Sequence, residues 1–374
     1  MEYRPCTATS LLGQLVYARA YYHCDQCHRG YFPTDEEFGL DRKPRLTLGA
    51  REAIAYVGVL EPFAEAAERT LPRLTGLRVS PSTVQRATED VGADVAQRRE
   101  AGETFGPQKS WDWHADSTGA HVAYVSLDAT SVPQQGPAGK KADGRMPWVG
   151  AVFNPDPKGK PRLQRIWDAR YVSGLRSLEE IGGQLRRECE AVGVEKADVA
   201  IGLTDGGNGL ENCLMDVLGG LAPRIVFILD FYHAAEHLRE FAKRWIADET
   251  SRQKQMDAWC HTLKHQGGQA LFEELNGLSL SRIPKAVREA HRQLVGYLGN
   301  NLHRMDYPSY LACGWQIGSG MIEAACKTVV NQRLKLSGMR WREPGTDAVC
   351  QLRALYKSER HLWPAYWNRH VTAA

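Results

Sequence analysis

The sequence lacks a long apolar run. No window of its 374 residues reaches the roughly 18 to 20 uninterrupted apolar residues that cross a bilayer. Its start, MEYRPCTATS, does not have the charged-then-apolar pattern of a signal peptide. Internal repeats and low-complexity tracts are also missing, which argues against a fibrous or disordered chain. We therefore expect a globular protein with no membrane segment, located in the cytoplasm.

Other absences narrow the function. A Gly-rich phosphate loop of the Walker type is not found, so ATP is not expected. The nine cysteines, an odd number, are scattered without the framework of a secreted domain, which predicts reduced thiols with at most one local metal cluster. The net charge is only +3, so attraction to nucleic acid must come from local patches. Residues 327 to 342 form such a patch, with five cations and no acid: Lys327, Arg333, Lys335, Arg340 and Arg342.

The first hundred or so residues predict a small N-terminal region. Residues 1 to 45 contain short apolar runs broken by HCDQCHRG, and residues 46 to 101 are rich in helical pattern. Within the second stretch, LTGLRVSPSTVQRATEDVG predicts a short helix, a turn and a second helix capped by Ser80 or Ser82, the order of a helix-turn-helix. Ser82, Gln85 and Arg86 are its candidate DNA contacts. Residues 102 to 118, with Gly, Pro and no clear period, are predicted to be a linker.

After the linker the pattern changes to strands. HVAYVSLDATSVP, PWVGAVFN and LQRIWDARYVSG predict three strands. A helix (SLEEIGGQLRRECEAVGV), a strand (DVAIGLTDGG), a helix over 208–218 and a strand (RIVFILDFYH) follow. The order β-β-β-α-β-α-β predicts an α/β fold with a mixed sheet flanked by helices, its first strand central and the later ones joining in parallel. Residues 234 to 312 predict an inserted all-helical subdomain, and one more long helix follows it.

Three apolar strands each end in one acid, namely Asp128, Asp205 and Asp230. A carboxylate at the end of a buried strand is costly unless it is paired or holds a cation. Because the first and fourth strands pair in the centre, Asp128 and Asp205 should face the same edge, where Glu323, behind GSG, would approach. Such oxygen ligands suit Mg²⁺, and two ions about 4 Å apart promote in-line phosphoryl transfer. The alternative for each Asp is an ordinary turn residue.

Together, SLDATSVP, LTDGGNGLE, FILDFYHAAEHL and GSGMIEAACKTVVNQRLKLSGMRW resemble the bacterial insertion-sequence transposases of the ISKra type. These are DDE enzymes with an RNase H-like catalytic domain, and the resemblance covers nearly the whole chain. It implies an RNase H-like core over 119–233, an all-α insertion over 234–312, and a last catalytic helix with a basic tail over 313–374. It also implies Asp128, Asp205 and Glu323 as catalytic acids holding Mg²⁺ or Mn²⁺, two ions in all. Asp230 and His233, in DFYH, would support them, and Asp230 ranks below Asp205 as a ligand.

The family usually begins with a zinc-ribbon-like segment that has two paired-cysteine knuckles. Here we find one knuckle, Cys24 and Cys27, so residues 1 to 45 are interpreted as a zinc-ribbon-like remnant with a shortened N-terminus. Cys6, Cys24, Cys27 and one histidine, His23 or His28, would supply the four ligands of a Zn²⁺ site. The alternative is two reduced thiols at a turn.

The implied function is metal-dependent cleavage at insertion-sequence ends followed by strand transfer into target DNA. Two alternatives share much of the site: an inactive RNase H-like DNA-binding protein derived from a transposase, and a nuclease that only hydrolyses. The basic residues from Lys327 onward would lie along the phosphate backbone. The partners implied are the transposon ends, the target DNA and a second copy or more of the chain, in the nucleoid. The tryptophans of WDWH (111–114) and Trp341 are candidates for base stacking, although packing between domains is favoured. Cys326 and Cys350 are predicted to be core residues.

Overall fold

A computed structural model describes residues 2–40, 44–154, 168–207, 209–279 and 283–372. The strands in this part of the chain are β1 (Glu2–Ser10), β2 (Gly13–His23), β3 (Gly30–Tyr31), β4 (Val122–Ala129), β5 (Val132–Gln135), β6 (Lys141–Arg145), β7 (Trp148–Phe153), β8 (Ala169–Gly174), β9 (Val199–Thr204) and β10 (Arg224–Leu229). The N-terminal helices are α1 (Pro33–Glu37), α2 (Leu48–Leu60), α3 (Phe63–Glu65), α4 (Leu71–Leu74) and α5 (Pro81–Glu100). Helices α6 (Leu178–Ala191) and α7 (Leu210–Leu218) alternate with the strands.

The remaining helices follow β10. They are α8 (Phe231–Trp245), α9 (Glu249–Gln266), α10 (Gly268–Asn276), α11 (Lys285–Asn301), α12 (Tyr307–Cys313), α13 (Gly320–Ala325), α14 (Gln332–Leu334), α15 (Glu343–Lys357) and α16 (Leu362–Thr372). Two π-helical segments, Ala66–Thr70 and Cys326–Asn331, join α3 to α4 and α13 to α14. None of the helices in the described residues is long and apolar enough to span a bilayer.

The central sheet has the order β10-β9-β4-β7-β8. Strand β9 is parallel to β4, and β10 is parallel to β9, whereas β7 and β8 run antiparallel to their neighbours on the other side. The prediction of a mixed sheet flanked by helices, with its first strand central, is therefore confirmed. Alternate residues of β4 face different cores: Val125 packs in one cluster with Leu185 of α6 and Leu214 of α7, and Tyr124 packs in the other with residues of α13.

Two features near the sheet differ from the prediction. The Gly- and Lys-rich segment between the first two predicted strands was expected to be a turn, but it forms the β5–β6 hairpin. The last predicted strand was expected to run to residue 233, yet β10 ends at Leu229 because Asp230 caps a helix that begins at Phe231. Residues 163–167 of the predicted third strand lie outside the described residues, and β8 covers Ala169–Gly174.

The first 31 residues contain a sheet that the sequence did not predict. Strands β1 and β2 form an antiparallel hairpin in register from Glu2↔Tyr21 to Ser10↔Gly13, and β3 adds to the edge of β2. Most side chains of β1 and β2 are exposed or only half-buried on both faces. The apolar-polar alternation that signals a strand with one buried face is therefore missing.

The helical prediction for residues 46–101 is confirmed. Helix α4 ends at Leu74, a turn follows, and α5 begins behind Ser80, whose side chain accepts a hydrogen bond from the Thr83 N–H at 3.2 Å. Ser80, rather than Ser82, is thus the N-cap. The helices share a small core in which Ile54, Leu71 and Val84 are fully buried. The order of a helix-turn-helix is present, and its DNA binding stays a prediction.

The tryptophans of the predicted linker are buried in the fold. Trp111 and Trp113 pack edge to face, and their indole N–H groups donate to Glu359 and to the Gly193 carbonyl. Trp341 is also buried, and its N–H donates to the Leu334 carbonyl. Packing, the favoured alternative for these tryptophans, is therefore confirmed.

The helical content predicted for residues 234 to 312 is confirmed, since the described residues between β10 and α13 contain helices α8 to α12 and no strand. The centre of this helical segment is a stack of Trp245, Phe241 and the fully buried Trp259. The sequence predicted one long final helix that bears the basic residues. It ends at Leu334 instead, and α15, which follows, is buried along most of its length.

Candidate functional site

Three acids lie at one level across three neighbouring parallel strands. The register pairs Ser126 of β4 with Leu203 of β9. Two positions further along both strands, Asp128 lies beside Asp205. In the same way, Leu229 pairs with Thr204, and one position further Asp230 comes beside Asp205. Adjacent strands are about 4.8 Å apart. The prediction that Asp128 and Asp205 face the same edge of the sheet is confirmed.

Asp128 is the penultimate residue of β4, and its carboxylate contacts two neighbouring groups. Its Oδ1 accepts from the Ala129 N–H at 2.6 Å, and its Oδ2 lies 3.6 Å from Cys326 Sγ. Burial raises the pKa of Asp128, and the negative charges of Asp205 and Glu323 raise it further, against the hydrogen bonds that lower it. The negative charges of Asp205 and Glu323 therefore both act on Asp128.

Asp205 is held by a turn at the end of β9. Its Oδ1 accepts from the Gly207 N–H at 2.9 Å, and Gly206 has a positive φ of 85°, which an L side chain would resist. The hydroxyl of Tyr297 donates to the Asp205 carbonyl at 3.3 Å. The sequence TDGG thus reverses the chain immediately after the strand and leaves Asp205 half-buried at the edge.

Asp230 has the environment of a structural residue. Its Oδ1 accepts from the N–H groups of Tyr232 and His233, at 2.6 and 3.3 Å. Its Oδ2 accepts from the N–H of Ser319 at 3.1 Å and from the Ser319 hydroxyl. The residue is only 1% exposed. With four donors already on its oxygens, Asp230 has little capacity for a cation, which agrees with its lower rank as a ligand.

Glu323 is positioned by contacts on both sides of it along the helix. Four residues before it, Ser319 contacts Asp230 at the end of β10, and its hydroxyl lies 2.9 Å from Glu323 Oε1. Three residues after it, Cys326 contacts Asp128 in β4. Seven helical residues rise about 10 Å, which matches the two strand spacings from β10 to β4. The segment from Ser319 to Cys326 therefore spans from the end of β10 to the end of β4, and Glu323 lies between its two contacts.

His233 stands beside this edge with a second histidine. Its Nε2 is 3.3 Å from Nε2 of His237, whose ring stacks on Tyr297 with 3.9 Å between centroids. Burial lowers the pKa of His237, and His233 lowers it further, while Glu236 and Asp205 oppose the shift. The sequence had identified His233, whereas Tyr297, Ser319 and the contact made by Cys326 were missed. The spacing of Ser319 and Cys326 from Glu323, one helical turn each way, was the available signal.

The donor set at this edge consists of carboxylates, the ligands that Mg²⁺ prefers. In the described residues no group of three or more His, Cys, Asp or Glu side chains is gathered closely enough to enclose a metal ion. The mutual repulsion at Asp128 is the observation that fits a cation, because a bound positive charge would relieve it. Asp128, Asp205 and Glu323 are the residues that would hold one, and magnesium stays a prediction.

The N-terminal thiols only partly match the predicted zinc ligands. Cys24 and Cys27 are exposed, and hydrogen bonds from Cys27 and Gln26 lower the pKa of Cys24. The rings of His23 and His28 are 6.2 Å apart. Cys6, however, pairs with Tyr17 across the hairpin, seven residues from Cys24 and so about 23 Å away at 3.3 Å per residue. Cys6 as a ligand of the same ion is wrong.

The residues predicted to bind DNA divide into two groups. Those at the surface are Ser82, Gln85, Arg86, Lys327, Lys335, Arg340 and Arg342. Arg333 is different, because it is fully buried. Its Nε donates to the Gly58 carbonyl at 3.0 Å, and its guanidinium lies over the rings of Phe63 and Trp341. Arg333 as a contact to the DNA backbone is therefore wrong.

The fold and this edge define a mixed α/β protein with a row of acids at its central strands, crossed by a glutamate-bearing helix. The chain belongs to the uncharacterised protein family UPF0236, whose family model matches residues 1–370. A relative is the UPF0236 protein of Caldanaerobacter subterraneus subsp. tengcongensis, 20% identical over 366 residues, which are 96% of this chain and 69% of the relative. The name of that relative combines eleven designations from one strain.

Proposed function

We propose that the protein is a DDE-type DNA transposase with an RNase H-like catalytic core, which cleaves DNA at the ends of an insertion sequence and joins them to a target. The central sheet supports this proposal. Strand β4 is its middle strand, β9 and β10 follow on one side in parallel, and β4 and β9 each end in an acid. The helical insertion between β10 and the glutamate agrees with the same fold.

The observation that carries the proposal is the position of Glu323. The contacts of Ser319 with Asp230 and of Cys326 with Asp128 fix the helix across the sheet edge. This tethering supports Glu323 as the third carboxylate of the proposed site, although it lies 118 residues after Asp205 in the chain. A solvent-exposed acid with no role in binding would not need such tethering.

The chemistry expected at this edge is phosphoryl transfer. When bound, a divalent ion would polarise the scissile phosphate and lower the pKa of the attacking water or hydroxyl. Asp128, Asp205 and Glu323 would hold it. The negative charges that raise the pKa of Asp128 support this role, and the exposed Lys327, one turn beyond Glu323, would bind a phosphate next to the reacting one.

The relative's name gives separate support. Eleven designations for one protein within a single strain are what a sequence copied into many places of a genome would produce. We infer the same mobility for the element that encodes this chain. Action on paired ends and target would require at least a dimer on DNA, and it would take place in the cytoplasm at the nucleoid.

The test is strand transfer on labelled DNA that carries the flanking sequences of the gene, with Mg²⁺ or Mn²⁺. Wild type should give joined product, and Glu323→Gln should give none. Glu240→Gln is the matched control, because Glu240 is an exposed helical acid that accepts from Lys243, and this variant should join DNA normally. Joined product from Glu323→Gln would remove that residue from the site.

One observation favours a second function, an inactive DNA-binding protein with the same fold. The described residues contain no closed group of metal-ligating side chains. Under this alternative the wild type binds DNA but neither nicks nor joins it with either metal ion. Nicked product without joined product would instead indicate a nuclease.

A further inference from the structure

Tyr232 is an exposed aromatic residue at the start of α8, beside the acids at the ends of the central strands. It is 65% exposed, although it lies only two residues after Asp230, which is buried. The carboxylate Oδ1 of Asp230 accepts from the Tyr232 N–H at 2.6 Å. The backbone of Tyr232 is therefore held just beyond the end of β10, while its side chain extends into solvent.

Two contacts hold the ring of Tyr232 in place. Its Cε2 and Cδ2 atoms lie 2.6 and 2.8 Å from the position that a Cβ on Gly318 would occupy. The ring also packs edge to face against Phe231, with 5.5 Å between centroids, and Phe231 is itself buried. A ring that is positioned before a ligand arrives loses little conformational entropy when the ligand binds. Tyr232 therefore presents a preorganised aromatic surface to solvent.

Gly318 connects this ring to the proposed third carboxylate. The next residue, Ser319, donates to Asp230 through its N–H at 3.1 Å, and its hydroxyl lies 2.9 Å from Glu323 Oε1. The helical rise from Ser319 to Glu323 is about 6 Å, and successive phosphates of one DNA strand are about 3.4 Å apart along the duplex axis. A base at Tyr232 would thus belong to a nucleotide within about two steps of a phosphate at Glu323.

An exposed aromatic ring beside a phosphate site suits a nucleobase. Bases inside a duplex are covered by their neighbours on both faces, so only an unpaired or extruded base offers a free face to a side chain. Stacking of this kind tolerates any sequence, because every base has a π-face. We propose that Tyr232 stacks on one unpaired base next to the phosphate that reacts at the carboxylates. This inference rests on the proposed function, since it assigns a contact for the DNA at the same site.

The test uses duplexes that carry the flanking sequence of the gene and end in a one-nucleotide 3′ overhang. The overhang is either 2-aminopurine, whose fluorescence falls on stacking, or an abasic nucleotide, and a third duplex has 2-aminopurine paired in its interior. Binding of the full chain is followed by the anisotropy of a dye on the far end, with EDTA present so that cleavage does not contribute. Wild type should quench the overhanging 2-aminopurine and leave the interior one unchanged. It should also bind the base overhang about tenfold more tightly than the abasic one.

Three variants assign the stacking to one ring. Tyr232→Phe should retain both the quenching and the tenfold preference, because the ring is what stacks. Tyr232→Leu keeps an apolar side chain and should lose both. Tyr3→Ala is the matched control, because Tyr3 has a similar exposure of 67% but lies in the N-terminal hairpin, and this variant should behave as wild type. The base and abasic affinities are compared within each variant, so a general loss of folded protein does not change their ratio.

Equal affinity of wild type for the base and abasic overhangs, or a bound overhang that is not quenched, would overturn the stacking proposal and would say nothing against strand transfer. Quenching that persists in Tyr232→Leu would also overturn it, since another residue would then contact the base. Quenching that is lost in Tyr232→Leu, without strand transfer by wild type, would support the Tyr232 contact and count against the transposase.

Discussion

Arg333 offers a sharp test of the structure, because a solvent-exposed phosphate contact and a buried packing residue respond differently to substitution. Replacing Arg333 with Ala removes a hydrogen bond to the Gly58 carbonyl and contacts with two aromatic rings. It also leaves a space between α2 and α14. The lost charged hydrogen bond is worth about 1.5 to 3 kcal/mol, and the two ring contacts about 1 to 2 kcal/mol.

Part of this loss is offset, because the guanidinium is itself costly to bury. Burial lowers the pKa of Arg333, and the neighbouring positive charge of Arg353 lowers it further. We therefore expect Arg333→Ala to destabilise the protein by about 3 kcal/mol net of the relieved charge. For Arg333→Met, which fills the space and removes the charge, we expect a change of less than about 1.5 kcal/mol.

The assay is thermal and urea unfolding followed by tryptophan fluorescence. An unfolding entropy of roughly 2.1 cal/mol/K per residue over 374 residues converts about 3 kcal/mol into a fall of about 4 °C in Tm, if the chain unfolds as one unit. Arg333→Met should lie within about 2 °C of wild type. An Ala variant as stable as wild type, with weakened DNA binding and a flatter salt dependence, would refute the buried position.

Three further predictions follow from the carboxylates and the exposed cations. The pKa of Asp128 in the folded protein lies above the usual aspartate value. The folded protein therefore loses stability as the pH rises from the usual aspartate pKa through the raised pKa. Asp128→Asn should have a higher Tm than wild type at pH 7 and no advantage at pH 3. Titrating Mg²⁺ should raise the Tm of wild type but not that of Glu323→Gln, and equal shifts in both would place the ion elsewhere. Changing Lys327 and Lys335 together to Ala should reduce the slope of log affinity against log salt by about 2, whereas an unchanged slope would show that neither lysine contacts phosphate.

The sheet was predictable because its strands are buried on both faces. Strands β4 and β9 are apolar runs with hardly an exposed residue, and each run stops at an acid. That pattern gave the strand order and the position of Asp128 beside Asp205. The N-terminal hairpin was not predictable, since its side chains are exposed on both faces and carry no period.

The sequence allowed Asp205 to be ranked above Asp230 as a metal ligand but did not give the physical reason. Asp205 and Asp230 both follow apolar strands, and only the structure shows that the second one caps α8 and accepts from Ser319. Burial of Arg333 was likewise hidden, because its partner Gly58 lies 275 residues earlier in the chain. A basic row on a helix predicts a charged surface unless a distant element covers one member.

Helix geometry explains why one acid precedes a row of cations in the segment from Ser319 to Arg342. The apolar and small residues hold the helix against the sheet: Ser319 and Cys326 contact the ends of β10 and β4. Glu323 and Lys327, four residues apart, are both exposed and share one face, so a phosphate drawn to the lysine would lie within one turn of the carboxylate. Further along, Arg333 in α14 is buried and donates to the Gly58 carbonyl of α2, whereas Arg340 and Arg342 are exposed. Because Arg333 is buried and Lys327 is exposed, a loss of DNA binding in an Arg333 variant would report lost stability, whereas a loss in a Lys327 variant should also change the salt slope.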